Sequence, residues 1–223
     1  MTHIQEQISQ IKSTLPAQVR LVAVSKFHPI EALQEAYDGG QRIFGESKVQ
    51  EMTQKYEALP KDIEWHFIGH LQTNKIKYMA PYVSLVHGVD SYMLLVEINK
   101  QALKAGRIIS CLLQIHIAKE TTKFGFSIDE CRKMLEEGDW KKLKNIQIAG
   151  VMGMATNTDD EAEIKCEFAT LSAFFQEAQN TFFKDSLYFK EISMGMSDDY
   201  PIAIEEGSTL IRIGSRIFGE RKY

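Results

Sequence analysis

Eight short apolar runs, each separated from the next by a helical pattern, constrain this chain more than any other feature. The runs cover residues 21–25, 42–44, 64–68, 85–87, 109–117, 146–151, 188–192 and 210–213. They are apolar and often β-branched, as expected of strands buried on both faces. Helical periodicity fills 30–37, 48–58, 74–79, 92–105, 128–136, 161–180 and 200–205. Gly39-Gly40, Gly106 and Gly207 stand where helices should stop. Eight strand–helix units in 223 residues give about 28 residues each. That spacing predicts an α/β fold: a single (β/α)8 TIM barrel occupying 1–223 as one domain. A doubly wound open sheet is the alternative, but no G-x-G-x-x-G follows the first run. Residues 4–14 read as an extra N-terminal helix, expected to close the bottom of the barrel.

Composition narrows the functions. Hydrophobic residues make up 44% and charged residues 25% of the chain, enough for one large core. The net charge is −4 and the pI about 5.9, so there is no basic excess for a nucleic-acid backbone. No stretch of about 18 apolar residues exists to span a membrane. Residues 1–14 lack the apolar core of a signal peptide. Cys111, Cys131 and Cys166 are odd in number and form no C-x-x-C. They read as reduced, inert thiols, Cys111 in the core, of a cytoplasmic protein.

In such barrels the chemistry sits at the C-terminal ends of the strands, and phosphate often binds after strands seven and eight. Lys26 ends the first run and is followed by Phe27-His28-Pro29. A strand-end lysine among apolar neighbours can lose its proton and attack an aldehyde. Ser193-Met194-Gly195-Met196-Ser197 follows the seventh run, and Gly214-Ser215 follows the eighth. Glycines admit backbone N–H groups close to an anion, serines donate further bonds, and helix N-termini favour negative charge. Alone, S-x-G-x-S is a plain turn; placed beside G-S on the next strand, it reads as half of a phosphate cradle. Asp198 and Asp199 read as helix caps, since both repel an anion. A lysine with a phosphate cradle suggests pyridoxal phosphate.

Arg212 precedes Gly214 by two residues. Its two readings are a donor to a pyridine nitrogen and a salt bridge to a strand carboxylate. In the first, arginine keeps its proton, the ring nitrogen stays unprotonated and the ring is a weaker electron sink. Other strand-end residues are Glu46, Ser47, His70, Gln72, His87, Asp90, His116, Lys119, Lys123, Met152, Gly153 and Met154. Met152 and Met154 are packing residues by default and an apolar wall against a ring otherwise. His66, His70, His87 and His116 raise a rival, a metal-dependent hydrolase. No H-x-H or H-E-x-x-H supports it, and hydrogen-bonded barrel histidines are the simpler reading. A serine hydrolase lacks G-x-S-x-G.

Longer stretches carry a resemblance. They are Leu21-Val22-Ala23-Val24-Ser25-Lys26, Phe44-Gly45-Glu46 with Val49-Gln50-Glu51, Trp65-His66-Phe67-Ile68-Gly69-His70-Leu71-Gln72-Thr73-Asn74-Lys75 and Val89-Asp90-Ser91. They continue with Lys123-Phe124-Gly125-Phe126, Gly150-Val151-Met152-Gly153-Met154-Ala155, Ser193 to Tyr200 and Gly207 to Arg221. In these the chain resembles the pyridoxal phosphate homeostasis proteins, the YggS/PROSC family, related to the barrel domain of alanine racemase. The resemblance runs in order over nearly the whole chain. It implies a fold-type III barrel that binds pyridoxal 5'-phosphate (PLP) as a Schiff base on Lys26. It implies phosphate contacts from Ser193, Ser197, Gly214 and Ser215, with Arg212 at the pyridine nitrogen. Two positions depart from the common pattern: Ser47 and His116 stand where many members carry Asn. A cofactor contact at Ser47 is then weaker or water-mediated.

The relation to alanine racemase raises a second function, a PLP-dependent amino-acid racemase. That chemistry needs a base on each face of the carbanion. In the racemase a tyrosine and a second domain complete the site, and this chain ends at Tyr223 after the eighth unit. An open mouth suits binding and release of a cofactor. The expectation is a monomeric handler of PLP without established catalysis, with amino acids and PLP-dependent apo-enzymes as candidate partners. An interaction scaffold has no supporting patch.

Overall fold

A computed structural model describes residues 1–120 and 124–219. Lys123, Glu220, Arg221 and Tyr223 lie outside these described residues. Eight strands form a closed parallel barrel: β1 (Arg20–Val24), β2 (Ile43–Glu46), β3 (Glu64–Phe67), β4 (Leu85–Val89), β5 (Ile109–Gln114), β6 (Ile146–Met152), β7 (Glu191–Ser193) and β8 (Leu210–Ile213). Each pairs with the next, and β8 closes on β1 with Arg212 opposite Val22. The helices are α1 (His3–Thr14), α2 (Ile30–Asp38), α3 (Val49–Ala58), α4 (Ile76–Met79), α5 (Tyr92–Lys104), α6 (Ile128–Glu137), α7 (Glu161–Thr181), α8 (Tyr200–Glu205) and α9 (Ser215–Phe218).

Alternation along each strand makes two layers. Leu21, Ala23, Phe44, Trp65 and Phe67 join the main core with buried helix residues such as Phe168 and Leu171. Val22, Leu85, Leu112, Ala149, Met152 and Leu210 form a smaller cluster inside the barrel. Cys111 and Cys131 are buried in the main core, and Cys166 is exposed.

Three expectations need correction. The run 109–117 is strand only to Gln114, because Ile115 bridges to Phe126 and the His116 amide donates to the Phe126 carbonyl. In 188–192 only Glu191 and Ile192 are strand; Tyr188 is exposed, and Phe189 stacks outward on Phe175 and Phe183. The N-terminal helix α1 does not close the barrel bottom. It lies in the outer ring against α2 and α9, burying Ile8 and Ile11, with Gln5 Nε2 donating to the Glu35 carbonyl at 3.1 Å. The bottom remains a cavity of about 310 Å³ lined by Arg20, Glu64, His66, Ser110, Lys190 and Glu191. An amphipathic helix gains by covering apolar surface, and that charged mouth offers little.

Candidate functional site

Lys26 lies two residues past the end of β1 and is half-buried. The loop that carries it is fixed from beneath by a buried ionic cluster. Lys55 Nζ, from α3, donates to the Ser25 carbonyl at 2.8 Å and to Glu46 Oε1 and Glu51 Oε1 at 2.7 Å each. Ser25 Oγ donates to Glu46 Oε1 at 2.6 Å, and the Phe27 amide donates to Glu51 Oε1 at 2.7 Å. Phe27 has φ +68°, a left-handed conformation unusual for a bulky residue. A strained residue persists where its surroundings over-determine it, and here a carboxylate grips its amide. Burial raises the Glu46 carboxyl above its ordinary range, against the lowering effect of Lys55. The sequence reading named Glu46 as a strand-end residue and missed Lys55. Its only local signal, Glu51 four residues earlier, is the pattern of an exposed helical pair.

The residues read as a cradle come together beyond the ends of β7 and β8. Ser215 Oγ donates to Ser197 Oγ at 3.0 Å. Gly195 makes the turn between them with φ +93°, where a Cβ would lie 2.7 Å from Ala203 Cβ. The Arg212 amide donates to the Gly195 carbonyl at 2.9 Å, tying the two segments together. Asp199 does not cap α8 with its side chain. It accepts instead from the Met196 amide at 2.5 Å, bracing the cradle turn. A cavity of about 540 Å³ adjoins this turn, lined by Met154, Met196, Asp159, Asp198 and Ile202 among others.

Arg212 is buried with 5% exposure, and burial lowers its pKa to about 10, so it stays protonated at neutral pH. Among the described residues it makes no salt bridge, so the strand-carboxylate reading is not realised. Its Nη1 donates to Ser193 Oγ at 2.7 Å and its Nη2 to the Gly153 carbonyl at 3.2 Å. A guanidinium has five donor hydrogens, so donors remain for another acceptor.

Ser193 and Met152 end β7 and β6, where the sequence reading puts them, but both side chains are covered. Ser193 is 0% exposed and its hydroxyl is held by Arg212 and His87. Met152 is 1% exposed within the inner cluster. Neither presents surface to a bound group as the chain stands, because strand alternation turns both inward. Ser47 is half-buried and lines a smaller cavity with Lys48, His70 and Lys75. Gly69 permits its approach, since a Cβ there would lie 2.5 Å from the Ser47 carbonyl oxygen.

The histidines separate. His66 and His87 are buried and 2.9 Å apart, nitrogen to nitrogen. His70 is 3.2 Å from Asp90 and stacks on Phe124. His116 lies beyond β5. Lys119 pairs with Glu163 at 2.9 Å. Among the described residues no three His, Cys, Asp or Glu side chains converge as a metal site, and no helix is long and apolar enough to cross a membrane.

The architecture is therefore a (β/α)8 barrel whose C-terminal mouth carries a strand-end lysine, a hydroxyl pair and a buried guanidinium. The family model described as alanine racemase, N-terminal domain, matches residues 1–222. The pyridoxal phosphate homeostasis protein of Aquifex aeolicus is 38% identical over 205 residues, 92% of this chain and 88% of that protein. Its counterpart in Synechocystis sp. is 37% identical over 215 residues, 96% of each chain. PipY of Synechococcus elongatus, solved without PLP, superposes with a TM-score of 0.91 at 37% identity, covering 97% of this chain and 100% of that one. The same protein with PLP bound gives a TM-score of 0.87. The chain belongs to the alanine racemase N-terminal domain family and, within it, to the pyridoxal phosphate homeostasis proteins.

Proposed function

We propose that this protein binds pyridoxal 5'-phosphate at the C-terminal mouth of its barrel, holds it on Lys26 as a Schiff base, and serves PLP homeostasis in the cytoplasm. The observation that carries the reading is Arg212, a buried cation with neutral partners and unused donors. It stands beside a hydroxyl pair on the neighbouring strand ends. That set suits a ligand with an acceptor nitrogen at one end and an anion near the other. The bound PLP of PipY, in a chain 37% identical to this one, supports the same ligand here.

Each residue has a separate task. Lys26 would hold the cofactor, whose aldehyde supplies the carbon that a lysine amine can bind as a Schiff base with loss of water. Ser197, Ser215 and the backbone at Gly214 receive the phosphate. Arg212, a donor that keeps its proton, would face the ring nitrogen and leave it unprotonated, which would weaken the ring as an electron sink. Ser193 supports Arg212 from below, Met152 packs beneath the site in the inner cluster, and a contact from Ser47 would be weak or water-mediated. A weak electron sink suits a monomeric carrier that exchanges PLP with apo-enzymes better than a racemase acting on amino acids.

The test is an absorbance spectrum of the purified protein with PLP, before and after borohydride, with mass analysis of the peptide carrying Lys26. A visible band fixed by reduction onto Lys26 is expected. Lys26→Ala should lose the band and the adduct while its thermal midpoint stays close to that of the parent, since Lys26 is only half-buried in a loop. A folded parent protein that gives no band with added PLP overturns the reading.

A further inference from the structure

We propose that His66, His87 and Ser193 form a directional hydrogen-bond relay through the barrel interior that positions the Arg212 guanidinium, with its far end at the N-terminal cavity. The inference rests on the reading that Arg212 serves the cofactor's ring nitrogen. The relay itself is a feature of the unliganded chain.

Its direction follows from Arg212, which can only donate. Nη1 donates to Ser193 Oγ at 2.7 Å, so the serine proton must find an acceptor elsewhere. The other partner of that hydroxyl is His87 Nδ1, at 2.8 Å. Ser193 therefore donates to Nδ1, and neutral His87 carries its proton on Nε2. That nitrogen is 2.9 Å from His66 Nδ1 and donates to it, which places the His66 proton on Nε2. His66 is also a wall of the N-terminal cavity. One donor-only group at the top thus fixes two tautomers below it.

Both imidazoles are fully buried, and burial holds both in the neutral form. The charged groups around them agree with neutrality. Arg212 lies above, and the Asp199 carboxylate acts on it electrostatically without an ion pair between them. Arg20 and Glu191 pair with each other at 2.7 Å at the lower mouth, where Glu64 and Lys190 complete the charged lining. No carboxylate among the described residues touches either imidazole. The consequence is chemical: the cation is stabilised by three aligned neutral dipoles, which orient it without cancelling its charge. A carboxylate in the same place would satisfy the guanidinium and compete with the ring nitrogen for it.

The experiment has two readouts. The first uses the apo-protein: nitrogen-15 NMR of its histidines at neutral pH should show two buried imidazoles, both protonated on Nε2. Ser193→Ala should disturb the His87 signals most. An Nδ1 proton on either ring, or a charged ring, overturns the relay. The second is retention of PLP after dilution. His87→Phe and Ser193→Ala should each weaken it about tenfold or more, the scale of one hydrogen bond to a charged group. The double variant should be little worse than either, because both break one chain. His87→Gln, whose amide can accept from Ser193 and donate to His66, should restore most of the loss and guards against a phenylalanine variant that fails to fold. Folded variants that retain PLP like the parent overturn the positioning role. A parent protein that binds no PLP would fail the functional reading while leaving the tautomer result to stand or fall alone.

Discussion

Lys55 and Arg212 are both buried cations near the C-terminal mouth, and the fold treats them in opposite ways. Lys55 is surrounded by two carboxylates and a carbonyl, all within 2.8 Å. Arg212 meets one hydroxyl and one carbonyl. The first site pairs its cation directly with carboxylates, leaving only Glu46 Oε2 among the cluster's buried side-chain oxygens without a partner, and its product is a fixed loop under Lys26. The second is incomplete, with charge and donors held in reserve. Burying a cation without a counter-ion is costly, so a chain that does so at a strand end gains from the unspent charge. The contrast separates a structural ion pair from a binding group without reference to the ligand.

The comparison breaks most visibly at Lys55. Lys55→Met should cost on the order of 3–5 kcal/mol, because it leaves the buried Glu46 beside the partly exposed Glu51 without a cation. Urea denaturation measures it directly. Pairing it with Glu46→Leu should recover part of the loss, since the remaining site is then apolar. A Lys55→Met protein as stable as the parent would mean that the loop does not depend on the cluster.

Arg212→Met should cost less, about 1–3 kcal/mol, because only neutral acceptors at Ser193 and Gly153 are orphaned. Its larger effect should fall on the ligand, with PLP retention down by more than tenfold. If the two substitutions destabilise the apo-protein equally, the distinction between a finished and an unfinished site is lost.

This contrast also marks what could be read from sequence. The barrel was legible because the eight apolar runs each announce a strand by themselves, and the placement of Lys26, Ser197 and Ser215 at the C-terminal mouth followed because they lie in the loops that leave strands. Lys55 was not legible: in α3 it looks like half of a solvated Glu–Lys pair, and only the packing of α3 under β1 and β2 brings Ser25 and Glu46 to it. Ser193 and Met152 sit at strand ends as expected, but which way a strand-end side chain turns depends on register, and β7 is only three residues long. The placement of α1 failed for a related reason. Its amphipathic pattern says that one face is covered and is silent on what covers it.

The smallest expected effect concerns acid, to which the two sites respond with opposite sign. Burial lowers His66 from the ordinary 6.5 to about 3. Below pH 6.5 the unfolded chain therefore binds a proton that the folded chain refuses, and stability falls as pH falls, until about pH 3. One such histidine gives a slope of about 1.4 kcal/mol per pH unit in that window. His87 is lowered in the same direction and steepens it. Glu46 is raised by burial, so its folded form takes up a proton more readily than its unfolded form, and falling pH relieves its penalty instead. Between pH 7 and pH 5 the histidine end should dominate, with a loss on the order of 2 kcal/mol from His66 alone. Denaturation midpoints across that range should show it, and His66→Gln should flatten the slope while Glu51→Gln leaves it in place. A slope unchanged by His66→Gln would place the acid sensitivity elsewhere and remove the electrostatic contrast between the two ends of the site.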